Sequence, residues 1–205
     1  MKIALIGATG NIGSRILEEA LLRGHQVVGT TRDAAKLSGR DSVTVAQVDT
    51  ADTGALADAV RGADAAIVAV KWNENSIDDV IDAVRQSGVK RALFVVGAGS
   101  LIREDGRTHF AHMQDKGITP PTSKPAMEAL YSLQKVKDLD WTAISPPFDI
   151  HPGERTGAFM LGSDTMLRPT KGQPIARISR EDFAIAILDE IETPAHIRKR
   201  FTAAN

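Results

Sequence analysis

The chain has 205 residues, with 25 basic and 26 acidic side chains and no cysteine. That length suits one domain with a sizeable core, and the near balance of charge gives no field to attract nucleic acid or an anionic membrane. Without cysteine, disulfides, thiolate catalysis and Cys-ligated zinc or iron–sulfur clusters are excluded.

The opening "MKIALIGATG" is too short an apolar run for a signal peptide, and no run approaches the ~18–20 apolar residues of a membrane span. A cytoplasmic protein is expected. "KIALIG" (2–7) predicts a strand buried on both faces. "NIGSRILEEALLRG" follows as a helix, with Ile12, Ile16, Leu17, Ala20 and Leu21 on one face and Gly24 as its stop. "HQVVGTT" and "SVTVAQV" read as strands, "TGALADAVRGA" as a helix, "DAAIVAV" as a strand and "SIDDVIDAVRQSG" as a helix. "RALFVVGAG" is the next strand, helix "KPAMEALYSLQKVKD" follows it, and "WTAISP" is a sixth strand. Strands separated by helices of this length call for right-handed crossovers, so the fold class is α/β, a doubly wound and mainly parallel sheet with helices on both faces. Beyond about residue 146 the pattern loosens, and residues 146–178 are expected to form an irregular lid on the substrate side of a single domain, 1–205. The pattern returns in "SREDFAIAILDEIE", a helix capped by Ser179 with Glu181 and Asp182 in its first turn. The short runs "AFMLGSD" and "ARIS" are expected to pair as strands over the site.

"GATGNIG" places Gly7, Gly10 and Gly13 between the first strand and the first helix. Gly7 can turn the chain tightly, Gly10 lets backbone N–H groups approach a pyrophosphate, and Gly13 lets helix and strand pack closely. This context predicts dinucleotide binding. Arg32 lies where the second strand ends, the place where an arginine suits a 2′-phosphate and an acidic residue suits free ribose hydroxyls. NADP(H) is therefore favoured over NAD(H), although Asp33 follows directly and offers the opposite choice. Asp49 ends the third strand, where its carboxylate either accepts from the adenine amino group or serves a turn.

With "ALIGATGNIGSRI", "VDTAD", "LFVVGAGSL", "LDWTAISPP", "PGERTG", "ISREDFAIAILDEIE" and "RFT", the chain resembles the atypical short-chain dehydrogenase/reductase superfamily over nearly its whole length. Within it the chain is similar to the small proteins described as NADH-flavin reductases, and more distantly to flavin/biliverdin reductases and NmrA-like proteins. The resemblance implies an extended dinucleotide across the strand ends. Gly7, Thr9, Gly10, Asn11, Ile12 and Gly13 would lie under its phosphates, and Val70, Gly97 and Pro146 would border it. It also implies that Lys124 holds the nicotinamide ribose and that Ser100 serves the substrate.

One departure shapes the chemistry. Relatives that act on alcohols and carbonyls carry a tyrosine four residues before the lysine, and here that position is Pro120. Tyr131, about two helical turns beyond Lys124, reads as a packing residue. Loss of the phenol would cost carbonyl reduction on the order of 10²–10⁴ in rate. Hydride transfer to a conjugated ring such as FMN, FAD or a quinone depends mainly on orientation, and so tolerates the loss. The long segment "LIREDGRTHFAHMQDKGITPPT" reads as a lid or binding loop, in which His109 and His112 are candidates for proton donation or phosphate contact; no third metal ligand accompanies them. Phe148 is a candidate for packing on nicotinamide or substrate, and Arg155 for pairing with an anionic group such as a flavin phosphate. The expected function is an NAD(P)H-dependent flavin reductase, monomeric or homodimeric. The alternatives are a non-catalytic NmrA-like dinucleotide sensor, or an epimerase, dehydratase or quinone reductase of the same fold.

Overall fold

The apolar runs of the sequence become the centre of one sheet. A computed structural model describes all 205 residues. It shows β1 (Lys2–Ile6), α1 (Gly13–Leu22), β2 (Gln26–Thr31), β3 (Val43–Gln47), α2 (Thr53–Val60), β4 (Ala65–Val68), α3 (Ile77–Ser87) and β5 (Arg91–Val95). Then come α4 (His109–Asp115), α5 (Ser123–Leu133), β6 (Asp140–Ser145), β7 (Asp149–His151), β8 (Met160–Gly162), β9 (Arg177–Ser179), α6 (Arg180–Glu192) and β10 (Lys199–Ala204). Eight strands form the main sheet in the order β3-β2-β1-β4-β5-β6-β10-β8, all parallel except β8, which runs antiparallel to β10. The chain leaves β1 for β2 on one side and returns to β4 on the other. That reversal between β1 and β4 is the topological switch point, where open α/β sheets bind ligands at the carboxyl ends of their strands.

The period of two along each strand divides the core. Ala4 and Ile6 of β1, Ala66 and Val68 of β4, and Ala92 and Phe94 of β5 face α2, α3 and α5. Their neighbours Ile3, Leu5, Ala65, Ile67, Leu93 and Val95 face α1 and α6, where Phe183 and Ile187 are fully buried. The doubly wound α/β architecture expected from the sequence is thus present. Trp72, just past β4, is buried on Phe94 and donates its indole N–H to the Val95 carbonyl at 2.8 Å, joining the ends of two neighbouring strands.

Three features depart from expectation. The runs at 158–164 and 176–179 do not pair with each other: β8 joins β10, and β9 pairs in parallel with β7. Helix α5 stops at Leu133 rather than continuing to residue 138; Val136 and Leu139 still pack into the core as the chain turns to β6. The segment 101–122 is not a plain loop, because Thr108 caps the short helix α4 by accepting from the Ala111 N–H at 3.2 Å.

Helix α6 starts where the sequence placed it. Ser179 Oγ accepts from Asp182 N at 2.9 Å and donates to the Glu154 carbonyl at 2.8 Å. Asp182, fully buried, accepts from Thr156 N and Gly157 N at 2.7 and 2.9 Å and from Asn205 Nδ2 at 3.0 Å. These bonds hold the carboxyl below its usual range against the opposing effect of burial. Ser179→Ala is expected to cost about 1 kcal/mol through the lost cap. In a chain of this size that lowers Tm by about 2–4 °C, measurable by calorimetry.

Candidate functional site

Gly7 leaves β1 with φ +89°, and a Cβ there would stand 2.6 Å from the Ala69 carbonyl oxygen. Gly13 opens α1 so close to the strand that a Cβ would meet the Gly7 carbonyl oxygen at 2.0 Å. Gly10 is different. Its N–H closes the turn onto the Gly7 carbonyl at 3.1 Å, while a Cβ would find nothing nearer than 3.4 Å, so its side-chain space is open. Ile12, at the N-cap, offers no side-chain oxygen to the first turn of α1. The N–H groups of Thr9, Asn11, Ile12 and Gly13 meet no acceptor within the protein. A row of free amides at a helix N-terminus, beside a turn left open by glycine, fits a pyrophosphate in hydrogen-bond donors and in sign of charge.

At the end of β2, Thr31 Oγ1 lies 3.4 Å from Thr9 Oγ1 and accepts from the Asp33 N–H at 3.1 Å, tying the two turns together. Arg32 is exposed and its guanidinium makes no ion pair. Asp33, its rival in the sequence, is engaged: Oδ1 accepts from Ala35 N at 3.2 Å and Oδ2 pairs with Lys36 at 3.7 Å. Asp49 accepts from Ala51 N at 3.0 Å and shapes a turn, while Asp52 caps α2. Val70 lines the loop beside Gly7.

The other half of the cleft follows β5 and β6. Gly97 sits where a Cβ would press on Ala126 at 2.9 Å, and a Cβ on Gly99 would meet the Ser123 carbonyl at 3.4 Å. The first turn of α5, with Ser123 and Lys124, is therefore packed on the turn that carries Ser100. Lys124 is exposed, its Nζ 3.7 Å from Glu128. Pro120 precedes the helix and its carbonyl accepts from Ser123 N at 3.0 Å. Tyr131 is 42% exposed, on the outside of α5 and not in the core.

Ser100 has a partner that sequence reading missed. Buried Arg200, on β10, donates from Nη1 to Ser100 Oγ at 3.0 Å and to Ser145 Oγ at 3.4 Å, and is itself held by Asp164 at 2.6 Å. Ser145 Oγ donates to the Gly97 carbonyl at 3.0 Å, just before buried Pro146. With Arg200 filling the acceptor side of Ser100, the Ser100 hydroxyl proton is left to donate elsewhere.

Arg155 is not available to an anionic substrate. Its Nε and Nη2 grip Glu19 of α1 at 2.7 and 2.9 Å, and Glu19, only 4% exposed, also takes Arg23 at 2.8 Å. The Arg155 fork, the largest influence, holds the Glu19 carboxyl below its usual range. Arg155 thus anchors the 152–157 turn to α1. His109, His112 and Phe148 are brought together: the two imidazoles stack at 6.4 Å, and the Phe148 ring meets His109 edge-on at 5.2 Å. They line a cavity of about 650 Å³ between α4 and the segment 166–176. Burial first, then the positive charge of Arg103, holds the His109 pKa below the ordinary histidine value. No three His, Asp or Glu side chains converge as a metal-binding group.

A parallel sheet with a glycine turn and free amides at its switch point defines a Rossmann-type dinucleotide-binding protein. The chain belongs to the NAD(P)H-binding family, whose model matches residues 7–194. It is 35% identical to the uncharacterized protein YwnB of Bacillus subtilis, over 100% of this chain and 99% of that one. A Bacteroides thetaiotaomicron structure described as a "putative epimerase" is 37% identical with TM-score 0.89, covering 99% of this chain and 96% of the other. A Streptococcus pneumoniae structure described as a "putative NADH-flavin reductase" is 30% identical with TM-score 0.82, covering 100% and 99%.

Proposed function

We propose that this protein is an NAD(P)H-dependent oxidoreductase that passes a hydride to a flavin or a similar conjugated ring, with NADPH as the preferred donor. The observation that carries this reading is the pairing of an intact dinucleotide turn with Pro120 at the acid position. Lys124 and Ser100 remain beside the cleft, but no phenol stands with them. A bound reduced nicotinamide supplies the hydride and is left oxidised, while the acceptor ring takes its second hydrogen as a proton from water.

The free amides of Thr9, Asn11, Ile12 and Gly13 bind the diphosphate and fix the coenzyme along the strand ends. Arg32, without a carboxylate partner, receives the 2′-phosphate, while Asp33 is kept from the ribose by its own turn. Lys124 takes the ribose on the nicotinamide side, and the Ser100 hydroxyl, oriented by Arg200, donates to the acceptor. Residues 146–178 cover the substrate side of what we take to be one domain, 1–205. A reductase drawing on the cellular NADPH pool belongs in the cytoplasm. One similar structure is described as an epimerase, yet sugar epimerisation needs the acid that Pro120 replaces.

The test is a fluorescence titration with NADPH and NADH, followed by absorbance of the reduced coenzyme on adding FMN, riboflavin or a quinone. Saturable binding with acceptor-dependent decay is expected. Tight binding with no decay for any acceptor would identify a sensor and overturn the reading.

A further inference from the structure

The cavity between α4 and the segment 166–176 contains a donor with nothing to donate to. His109 is 6% exposed, and its Nδ1 lies 3.3 Å from Arg103 Nη1. A guanidinium can only donate, so Nδ1 is the accepting nitrogen and the ring proton resides on Nε2. That Nε2 is buried and has no partner. Buried polar groups almost always find one, and a ligand atom is one way to supply it.

The surroundings indicate what kind of ligand. Phe148, Ile118 and Ile175 line the same cavity and are 47%, 54% and 41% exposed. Single exposed apolar side chains are ordinary, but three around one concavity mark a binding surface. A volume of about 650 Å³ lies within the range of small-molecule sites. Phe148 sits two residues beyond Pro146 in the loop after β6, and Phe110 lies against the 97–100 turn near Gly99. Through Phe148 the cavity borders the loop after β6, the loop on which the reductase reading puts the nicotinamide.

We propose that this cavity receives the flat ring of the acceptor, and that His109 Nε2–H donates a hydrogen bond to a carbonyl oxygen or ring nitrogen on it. The identity of the ligand rests on the reductase reading; the donor and its pocket do not. The Phe148 ring, edge-on to the imidazole at 5.2 Å, forms the apolar wall against which the ligand ring lies. His109 keeps its proton throughout. It acts as a neutral donor that stabilises negative charge building on the acceptor, a role neutral imidazole fills elsewhere. Arg103 is a positioning residue that fixes the tautomer.

Riboflavin is the probe, titrated by its fluorescence into the full chain without coenzyme. His109→Leu is expected to weaken riboflavin by about tenfold, the loss of one buried hydrogen bond. His109→Gln, which keeps an N–H, should stay near wild type. Arg103→Leu should weaken riboflavin and Arg103→Lys should restore it. NADPH affinity should be unchanged in all four, which also reports folding. Two-bond ¹H–¹⁵N spectra of the free protein should show the Nε2–H tautomer, with that proton shifting on riboflavin addition. Equal riboflavin affinity in wild type and His109→Leu, no riboflavin binding by wild type, or the Nδ1–H tautomer would each overturn the proposal. If riboflavin binding depends on His109 yet no acceptor ever oxidises NADPH, the pocket stands and the reductase reading falls. If wild type and His109→Leu reduce riboflavin equally well, the reverse holds.

Discussion

Gly10→Ala is expected to abolish most coenzyme binding while leaving the fold intact. The added methyl meets no protein atom nearer than 3.4 Å, and the backbone there is not in the left-handed region. Replacing glycine by alanine at a compatible conformation is neutral or slightly stabilising, by about 0.4–1 kcal/mol. The same methyl fills the space through which a diphosphate approaches the amides of Thr9, Asn11, Ile12 and Gly13. Losing two charge-assisted hydrogen bonds costs about 3 kcal/mol or more, which is ~100-fold in affinity for NADPH and NADH alike. Calorimetric titration and thermal melting measure the two sides separately. Gly13→Ala should behave oppositely, since its methyl would collide with the Gly7 carbonyl at 2.0 Å and damage the crossover itself. If Gly10→Ala binds coenzyme as wild type does, the diphosphate does not lie on this turn.

Arg32→Asp should separate the two coenzymes. A guanidinium on a phosphate dianion makes charge-assisted bonds worth about 2–3 kcal/mol, so NADPH should weaken by ~30–100-fold. NADH, with no phosphate at that position, should change little, and the new carboxylate can accept from its ribose. Kd values for both coenzymes at fixed salt decide the matter, and equal losses would remove Arg32 from the phosphate site. Salt should weaken NADPH more than NADH in the wild type, because the extra contact is an exposed ion pair.

The parts of this molecule that could be read from sequence are those whose physics is local. β1, β4 and β5 are continuous apolar runs because both faces are buried, and α3 has Ser76 and Gly88 at its two ends with Asp78 and Asp79 in its first turn. The dinucleotide turn was legible because glycine, strand and helix are adjacent in the chain. What escaped depends on partners far away. β10 reads "KRFTAA", with little β-branched character, and becomes a strand because β6 and β8 take it between them. Arg200 and Ser100 are 100 residues apart, and nothing near either one signals the other. Arg155 looked like a free cation because Glu19 is 136 residues distant. Helix α4 spans only seven residues, too few for a period to declare itself. His109 was singled out as a candidate, but its tautomer follows from Arg103, whose position only the folded chain reveals.

Trp72 gives the cleft an optical gauge. Its indole is locked to the β5 carbonyl beside Val70, at the carboxyl end of the sheet, whereas Trp141 begins β6 at the opposite edge. Reduced nicotinamide absorbs where indole emits, so docking should dim ultraviolet-excited emission by energy transfer, most strongly from the nearer ring. In a Trp141→Phe background a single indole, excited beyond the absorption of Tyr131, would then watch each molecule of donor arrive and depart, with no dye attached.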